Sequence, residues 1–145
     1  MVEVEDKAQA AADKVGRHVA ENDVMGRTLG VVLEEIRPGY ARARMTVCPD
    51  MANAAGIGHG GATFTLADVV FGAACNSHNK LALAQNCNIT FLAPVELGDV
   101  LIAEGREVSQ QGRGGVYDIV VSNQDGMQVA LFRGLSRQTG TKMID

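Results

Sequence analysis

Residues 53–75 read NAAGIGHGGATFTLADVVFGAAC, and this stretch decides the fold. It opens with a glycine-rich turn, Gly56-Ile57-Gly58-His59-Gly60-Gly61, and continues as an apolar segment rich in Ala and Phe. A single carboxylate, Asp68, interrupts that segment. The glycines suit a turn, and Ala62 onward are helix formers, so a helix is expected to start near Gly60 or Gly61. It should close at the polar cluster Asn76-Ser77-His78-Asn79. Such a helix is about 25 Å long. Phe64, Leu66, Val69, Val70, Phe71 and Ala73 make it apolar nearly all round, which predicts burial by strands. A carboxylate is seldom buried without a partner, so Asp68 needs a reason to be there.

The start of the helix supplies one. First-turn N–H groups point out along the axis with a partial positive charge, and favour an anion or a polarised carbonyl oxygen. Asp68 lies two turns beyond Gly61, on nearly the same face but roughly 10 Å further along the axis. A general base must come within about 3 Å of the proton it takes. Asp68 therefore cannot easily share a reacting carbonyl with the amides of its own helix. If the two act together, the carboxylate comes from a second, antiparallel helix, which predicts a symmetric dimer with two sites. The alternative is a buried carboxylate held by an Arg or by helix-end amides across the dimer.

Outward from this helix the chain reads as strands. Leu29–Ile36 and Tyr40–Val47 flank Pro38-Gly39 as an antiparallel hairpin. Four more follow: Ala84–Leu92, Val100–Ser109, Gly115–Asn123 and Gln128–Arg137. The turn signals between them predict a meander. Before them, Val4–Glu21 places Ala8, Ala11, Ala12, Val15 and Val19 at helical spacing, within an N-terminal helical region of about residues 1–24. The tail, 139–145, is expected to fray. The fold class is α+β: a long central helix wrapped by a curled antiparallel sheet of five to six strands, plus an N-terminal helix. At 145 residues this is one domain, 1–145.

Composition narrows the functions. A formal charge of −4 and a pI near 5.3 argue against nucleic acid. No uninterrupted apolar run suits a membrane span, and the acidic start lacks a signal-peptide pattern. A cytoplasmic location is the expectation. Cys48, Cys75 and Cys87 read as reduced buried thiols. His18, His59 and His78 are too far apart to suggest a metal site.

The segment Asn53…His59-Gly60-Gly61-Ala62-Thr63-Phe64…Leu66-Ala67-Asp68 resembles the signature of hotdog-fold acyl-CoA thioesterases, above all the PaaI-type enzymes of phenylacetate degradation. Asn86–Pro94, Gly115–Ile119 and Val129–Gly134 also resemble that family, so the likeness runs from about Met25 to Gly140. It implies an acyl-CoA substrate, phenylacetyl-CoA or a ring-hydroxylated derivative, and a homodimer that pairs into a homotetramer. No cofactor is expected, since coenzyme A is part of the substrate. In this reading the N–H of Gly60, with its neighbour Gly61, polarises the thioester carbonyl. Asp68 of the other subunit acts as general base or as nucleophile. The resemblance moves Asn53 and His59 from turn residues to site residues, and makes Phe64 a candidate pocket wall. Arg113, with Gly114 and Gly115, forms a hairpin loop that could also hold a CoA phosphate. A pocket for a medium fatty acyl chain, a hotdog dehydratase and a non-catalytic acyl-CoA-binding module remain the other readings.

Overall fold

The central helix forms where the glycine turn ends and the Ala-rich run begins. The computed structural model describes residues 1–145. In chain order the elements are α1 (Val2–Asn22), α2 (Val24–Thr28), β1 (Val32–Arg37), β2 (Tyr40–Thr46), a 3-10 turn (Pro49–Met51), α3 (Gly60–Asn76), β3 (Ala82–Phe91), β4 (Val100–Gln111), β5 (Gly114–Ser122) and β6 (Gln128–Gln138). The six strands form one antiparallel sheet in the order β1-β2-β4-β5-β6-β3. No helix is long and apolar enough to cross a membrane.

Alternation places one face of each central strand against α3. Ala41, Ala43 and Met45 of β2, Leu101 and Ala103 of β4, and Tyr117, Ile119 and Val121 of β5 are buried. They meet Leu66, Ala67, Val70, Phe71 and Ala74 of α3 in one core. Each large apolar side chain so buried contributes about 1.5–3 kcal/mol. The helix can lie close because Gly105 and Gly134 put no side chain beneath it. A Cβ at Gly134 would stand 2.6 Å from the Phe71 ring, and one at Gly105 would stand 2.8 Å from Val70.

Polar groups fix the far end of α3. The Ser77 hydroxyl donates to Ala74 O (2.7 Å) and accepts from Gly39 N–H (2.8 Å). Glu107 accepts a hydrogen bond from the Tyr117 hydroxyl (2.7 Å) and lies 3.1 Å from His78 Nε2. Buried Ala12, Val15, Gly16 and Val19 form the inner stripe of α1.

Three expectations need correction. The run from Leu29 does not start a strand, because Asp23 caps a further short helix, α2, and Leu29 closes it. The tail is hydrogen-bonded to the body of the fold rather than loose. Asn79, at φ 56, clamps Ile144 through two hydrogen bonds of 3.0 Å, and Leu81 N–H donates to Thr141 O (2.9 Å). Finally, α3 is not covered all round. Gly61, Thr65, Asp68 and Gly72 make a stripe opposite the core that stays open or half-open, and Asp68 is exposed on it.

Candidate active site

The loop before α3 is built by its own polar groups. Asn53 Oδ1 accepts from Ala55 N–H (2.9 Å) and Ile57 N–H (3.2 Å), while Asn53 N–H donates to Ile57 O (2.7 Å). This is an Asx turn. Gly58 N–H donates to Val95 O and His59 N–H to Met51 O, both at 2.7 Å, so the loop is tied to the β3–β4 connection and to the 3-10 turn before it.

His59 is the N-cap of α3. Its backbone is extended (φ −70, ψ 132), and its Nδ1 accepts from Gly61 N–H at 2.9 Å. An accepting Nδ1 leaves the ring proton of the neutral side chain on Nε2. Ala62 N–H donates to His59 O (3.0 Å). The amide of Gly61 is thus engaged, whereas the N–H of Gly60 has no acceptor in the chain. That free donor opens into a crevice of about 400 Å³ lined by Asn53, Ile57, Thr63, Phe91 and Val95 among others. Phe91 is 53% exposed, and its ring tip would lie 2.9 Å from a Cβ on Gly60. The strand pattern around Phe91 gave no sign that it closes a crevice, because that closure depends on where β3 ends relative to the start of α3.

Asp68 stands eight residues beyond Gly60, about 12 Å along the axis. It is exposed, yet enough protein surrounds the carboxyl to raise its pKa above the usual carboxylate value by desolvation. The nearby charge of Asp23 adds to this, and no cation offsets it. Burial first, then the Asp68 charge, pushes the Cys75 thiol up to about 12. Cys87 is raised by the same two causes, so neither thiol is a ready thiolate.

The remaining candidates lie elsewhere. Phe64 packs edge-on against Phe132 with centroids 5.3 Å apart, which ties its ring to the core. Arg113 sits on the β4–β5 turn, beside Gly112 at φ 58. Gly114 and Gly115 belong to β5, opposite Arg137 and Ser136 of β6. Gly60 lies beside Phe91, at the level of Ala130 and Val121. Gly114 is seven residues from Val121 along β5, about 23 Å. One chain therefore brings Asn53, His59, Gly60 and Gly61 together, leaves Asp68 two turns away, and holds Arg113 at the opposite end of the sheet.

The sheet also has an unprotected edge. β3 pairs only with β6, and nearly all its residues are exposed or half-exposed. That strand carries Gln85, Asn86, Asn88 and Thr90 but no charge and no proline, the usual guards of a lone edge.

Comparison with known proteins agrees with this architecture. Residues 55–130 match the thioesterase superfamily. The acyl-coenzyme A thioesterase PaaI of Escherichia coli (strain K12) is 42% identical over 120 residues, which cover 83% of this chain and 86% of that protein. The solved structure of the E. coli PaaI protein from the phenylacetic acid degradation operon superimposes with a TM-score of 0.90 at 39% identity, covering 92% of this chain and 97% of that one. A hypothetical thioesterase from Streptococcus pneumoniae TIGR4, solved with coenzyme A, gives a TM-score of 0.75 at 28% identity, covering 78% and 91%. The chain therefore belongs to the thioesterase superfamily, as a hotdog-fold thioester hydrolase similar to PaaI.

Proposed function

We propose that the protein is an acyl-CoA thioesterase of the phenylacetate type, which hydrolyses phenylacetyl-CoA or a hydroxyphenylacetyl-CoA to the free acid and CoA. The observation that carries this reading is the unpaired Gly60 N–H at the start of α3, beside a crevice that Ile57, Phe91, Leu92 and Val95 wall in part. A thioester oxygen placed there gains a charge-stabilising donor at the positive end of the helix dipole. Asp68 then takes a proton from a water that attacks the carbonyl carbon and expels the CoA thiolate, or attacks that carbon itself, expelling the thiolate and leaving an anhydride that water hydrolyses. Asn53 and His59 hold the loop so that the donor stays aimed, and Nε2–H of His59 remains available to a ligand.

The two halves of the site come from two subunits. Antiparallel pairing of the open β3 edges gives a two-fold dimer whose α3 helices run in opposite directions. The open stripe of α3 is small, with Gly61, Thr65 and Gly72 around Asp68, so a second helix can approach it. The same two-fold returns the Arg113 end of one sheet to Gly60 of the partner subunit. Arg113 has no acidic partner in its own chain, which suits a CoA phosphate with Gly114 and Gly115 behind it. Leu131 and Leu135, exposed on β6, offer a second apolar contact for pairing two dimers into a tetramer.

Asn86 is near the middle of β3, so Asn86→Lys would set like charges close together across the two-fold. Such a juxtaposition costs several kcal/mol. Sedimentation is expected to show a dimer weakened at least ~10-fold, which corresponds to ~1.4 kcal/mol, with activity falling in parallel. An active monomer would exclude the two-subunit site. The substrate class is tested by thiol release from phenylacetyl-CoA and octanoyl-CoA side by side. Faster release from the aryl ester supports the proposal, whereas preference for octanoyl-CoA reassigns the pocket to a medium fatty acyl chain. The aliphatic lining of Ile57, Leu92 and Val95 makes that comparison worth running first.

A further inference from the structure

We infer that the cleft between α1, α3 and the C-terminal tail receives the ring of the acyl group, and that His18 and Asn22 determine specificity there by reading a ring hydroxyl. This rests on the proposed thioester hydrolysis at Asp68 and names the part of the chain that meets the acyl group. The cleft measures about 210 Å³, with apolar walls from Val19 of α1, Val69, Gly72 and Ala73 of α3, and Met143 of the tail. Pockets for drug-sized molecules run to about 300–1,000 Å³, so this one suits a single ring. Its mouth lies near Asp68. Gly72 follows Asp68 by four residues on the same open stripe, about 6 Å along the axis. A Cβ at Gly72 would meet nothing within 4 Å, so no side chain of the chain stands over that position. A phenylacetyl ring is one CH2 from its carbonyl carbon, and its far edge reaches about one helical turn away, the distance from Asp68 to Gly72. The second subunit keeps this path free of charge. With the helices antiparallel, its own α3 begins opposite Asp68, and its loop 53–58, which holds no charged residue, faces Gly72 and roofs the ring.

The polar groups of the cleft point to a hydroxyl. Asn22 Nδ2 donates to His18 O (2.9 Å) and lies 3.3 Å from His18 Nδ1, which accepts from it. The neutral imidazole then keeps its proton on Nε2, and this Nε2–H and Asn22 Oδ1 have no partner in the chain. One donor and one acceptor on the same wall match a phenol, which both gives and takes a hydrogen bond. An unsubstituted ring would cover both groups and pair neither, which costs binding. The remaining polar groups are engaged or repel. Asn76 donates to Gly72 O (2.9 Å) and Ala82 O (3.1 Å) and accepts from Ala82 N–H (2.9 Å). Asp23, which accepts from Gly26 N–H at 2.8 Å, puts a negative charge at the cleft that disfavours a ring carboxylate. α1 lies outside residues 55–130, which match the superfamily, so its wall adds selectivity to a catalytic frame that does not need it.

The test is kcat/KM for 4-hydroxyphenylacetyl-CoA and phenylacetyl-CoA, side by side, in wild type, His18→Leu and Gly72→Leu. Thermal unfolding verifies the fold and sedimentation the dimer. Wild type is expected to favour the hydroxylated ester. His18→Leu is expected to lower kcat/KM for that ester ~10-fold, mainly through KM, and to leave phenylacetyl-CoA within about twofold, as the loss of one hydrogen bond would. Gly72→Leu closes the mouth of the cleft and is expected to lower both esters by at least ~10-fold, since a ring denied its pocket loses several methylenes' worth of contact. Equal losses for the two esters in His18→Leu would mark a structural role and overturn the assignment. Unchanged selectivity in that variant, or wild-type turnover of both esters in Gly72→Leu, would place the ring elsewhere and overturn it too. Where Gly72→Leu no longer dimerises, His18→Leu, remote from the open stripe of α3, decides alone. Wild-type protein that releases no thiol from either ester would instead remove the thioesterase reading itself, and this assignment with it.

Discussion

Asp68→Asn is expected to lower thiol release from the acyl-CoA substrate by about 10²- to 10⁴-fold, the usual worth of a positioned acid–base group. A group that forms a covalent intermediate would cost at least as much. The same substitution is expected to leave stability unchanged or higher at neutral pH. Burial, then the Asp23 charge, raises the Asp68 carboxyl above its ordinary value, so the folded protein holds that proton more tightly than the unfolded chain does. Stability linked to it is fully present below the unfolded pKa and is lost as pH rises through the folded one. Above that window the ionised group is a cost, and Asn removes it. The melting temperature of the variant should therefore match or exceed wild type at pH 7, and the difference should vanish in acid. For wild type, the acidic limb of kcat/KM should lie above the ordinary carboxylate range. Wild-type turnover in the variant would show that Asp68 has no part in the chemistry. Lost activity with a lowered melting temperature would assign it a structural role instead.

Gly60→Pro is the second large effect. It deletes the one free amide at the start of α3 without disturbing the helix. Proline is well tolerated at the first helical position. His59 already has the extended backbone preferred before proline, φ −70 and ψ 132. Loss of one oxyanion donor typically costs 10²- to 10³-fold in kcat, ~3 kcal/mol. Gly60→Ala is the matched control, since it adds a Cβ 2.9 Å from Phe91 Cζ but keeps the N–H. That contact is with the tip of a half-exposed ring, which can swing aside. The proline variant should lose kcat far more than the alanine variant, with KM moving little in comparison. Equal losses in the two would trace the effect to Phe91 and place the oxygen elsewhere.

The central helix was legible because one local code wrote it. Glycines at 56–61 punctuate, Ala62 onward propagate, and the polar run at 76–79 closes. The six strands were legible from alternation and turn signals for the same reason. What escaped depended on contacts between distant parts of the chain. α2 hangs on a single cap, Asp23, in a Val/Leu run that also reads as a strand. The tail looked free because its anchor is Asn79, 65 residues away from Ile144. The exposure of Asp68 was hidden by the apolar residues on either side of it, since most of a helix can be core while one stripe faces out. The crevice over Gly60 needed Phe91 and Val95, which no local pattern links to the glycine turn. The engagement of Gly61 by His59 is a matter of one ring nitrogen, and spacing is silent on it.

The sheet order has a further consequence for how the chain is made. β3 is the third strand in sequence, yet its only neighbour is β6, the last. During synthesis the uncharged residues of β3 leave the ribosome well before the strand that will shield them. Until β6 is available, β3 presents two bare edges rather than one, an invitation to sticky encounters between nascent chains. The register between the two strands, from Ala82 with Gln138 to Phe91 with Ala130, is thus closed late and over a long loop, a hallmark of slow folding. Chains stopped short of Gln138 would be selectively exposed to chaperones and to aggregation, whatever the condition of the residues that perform the chemistry.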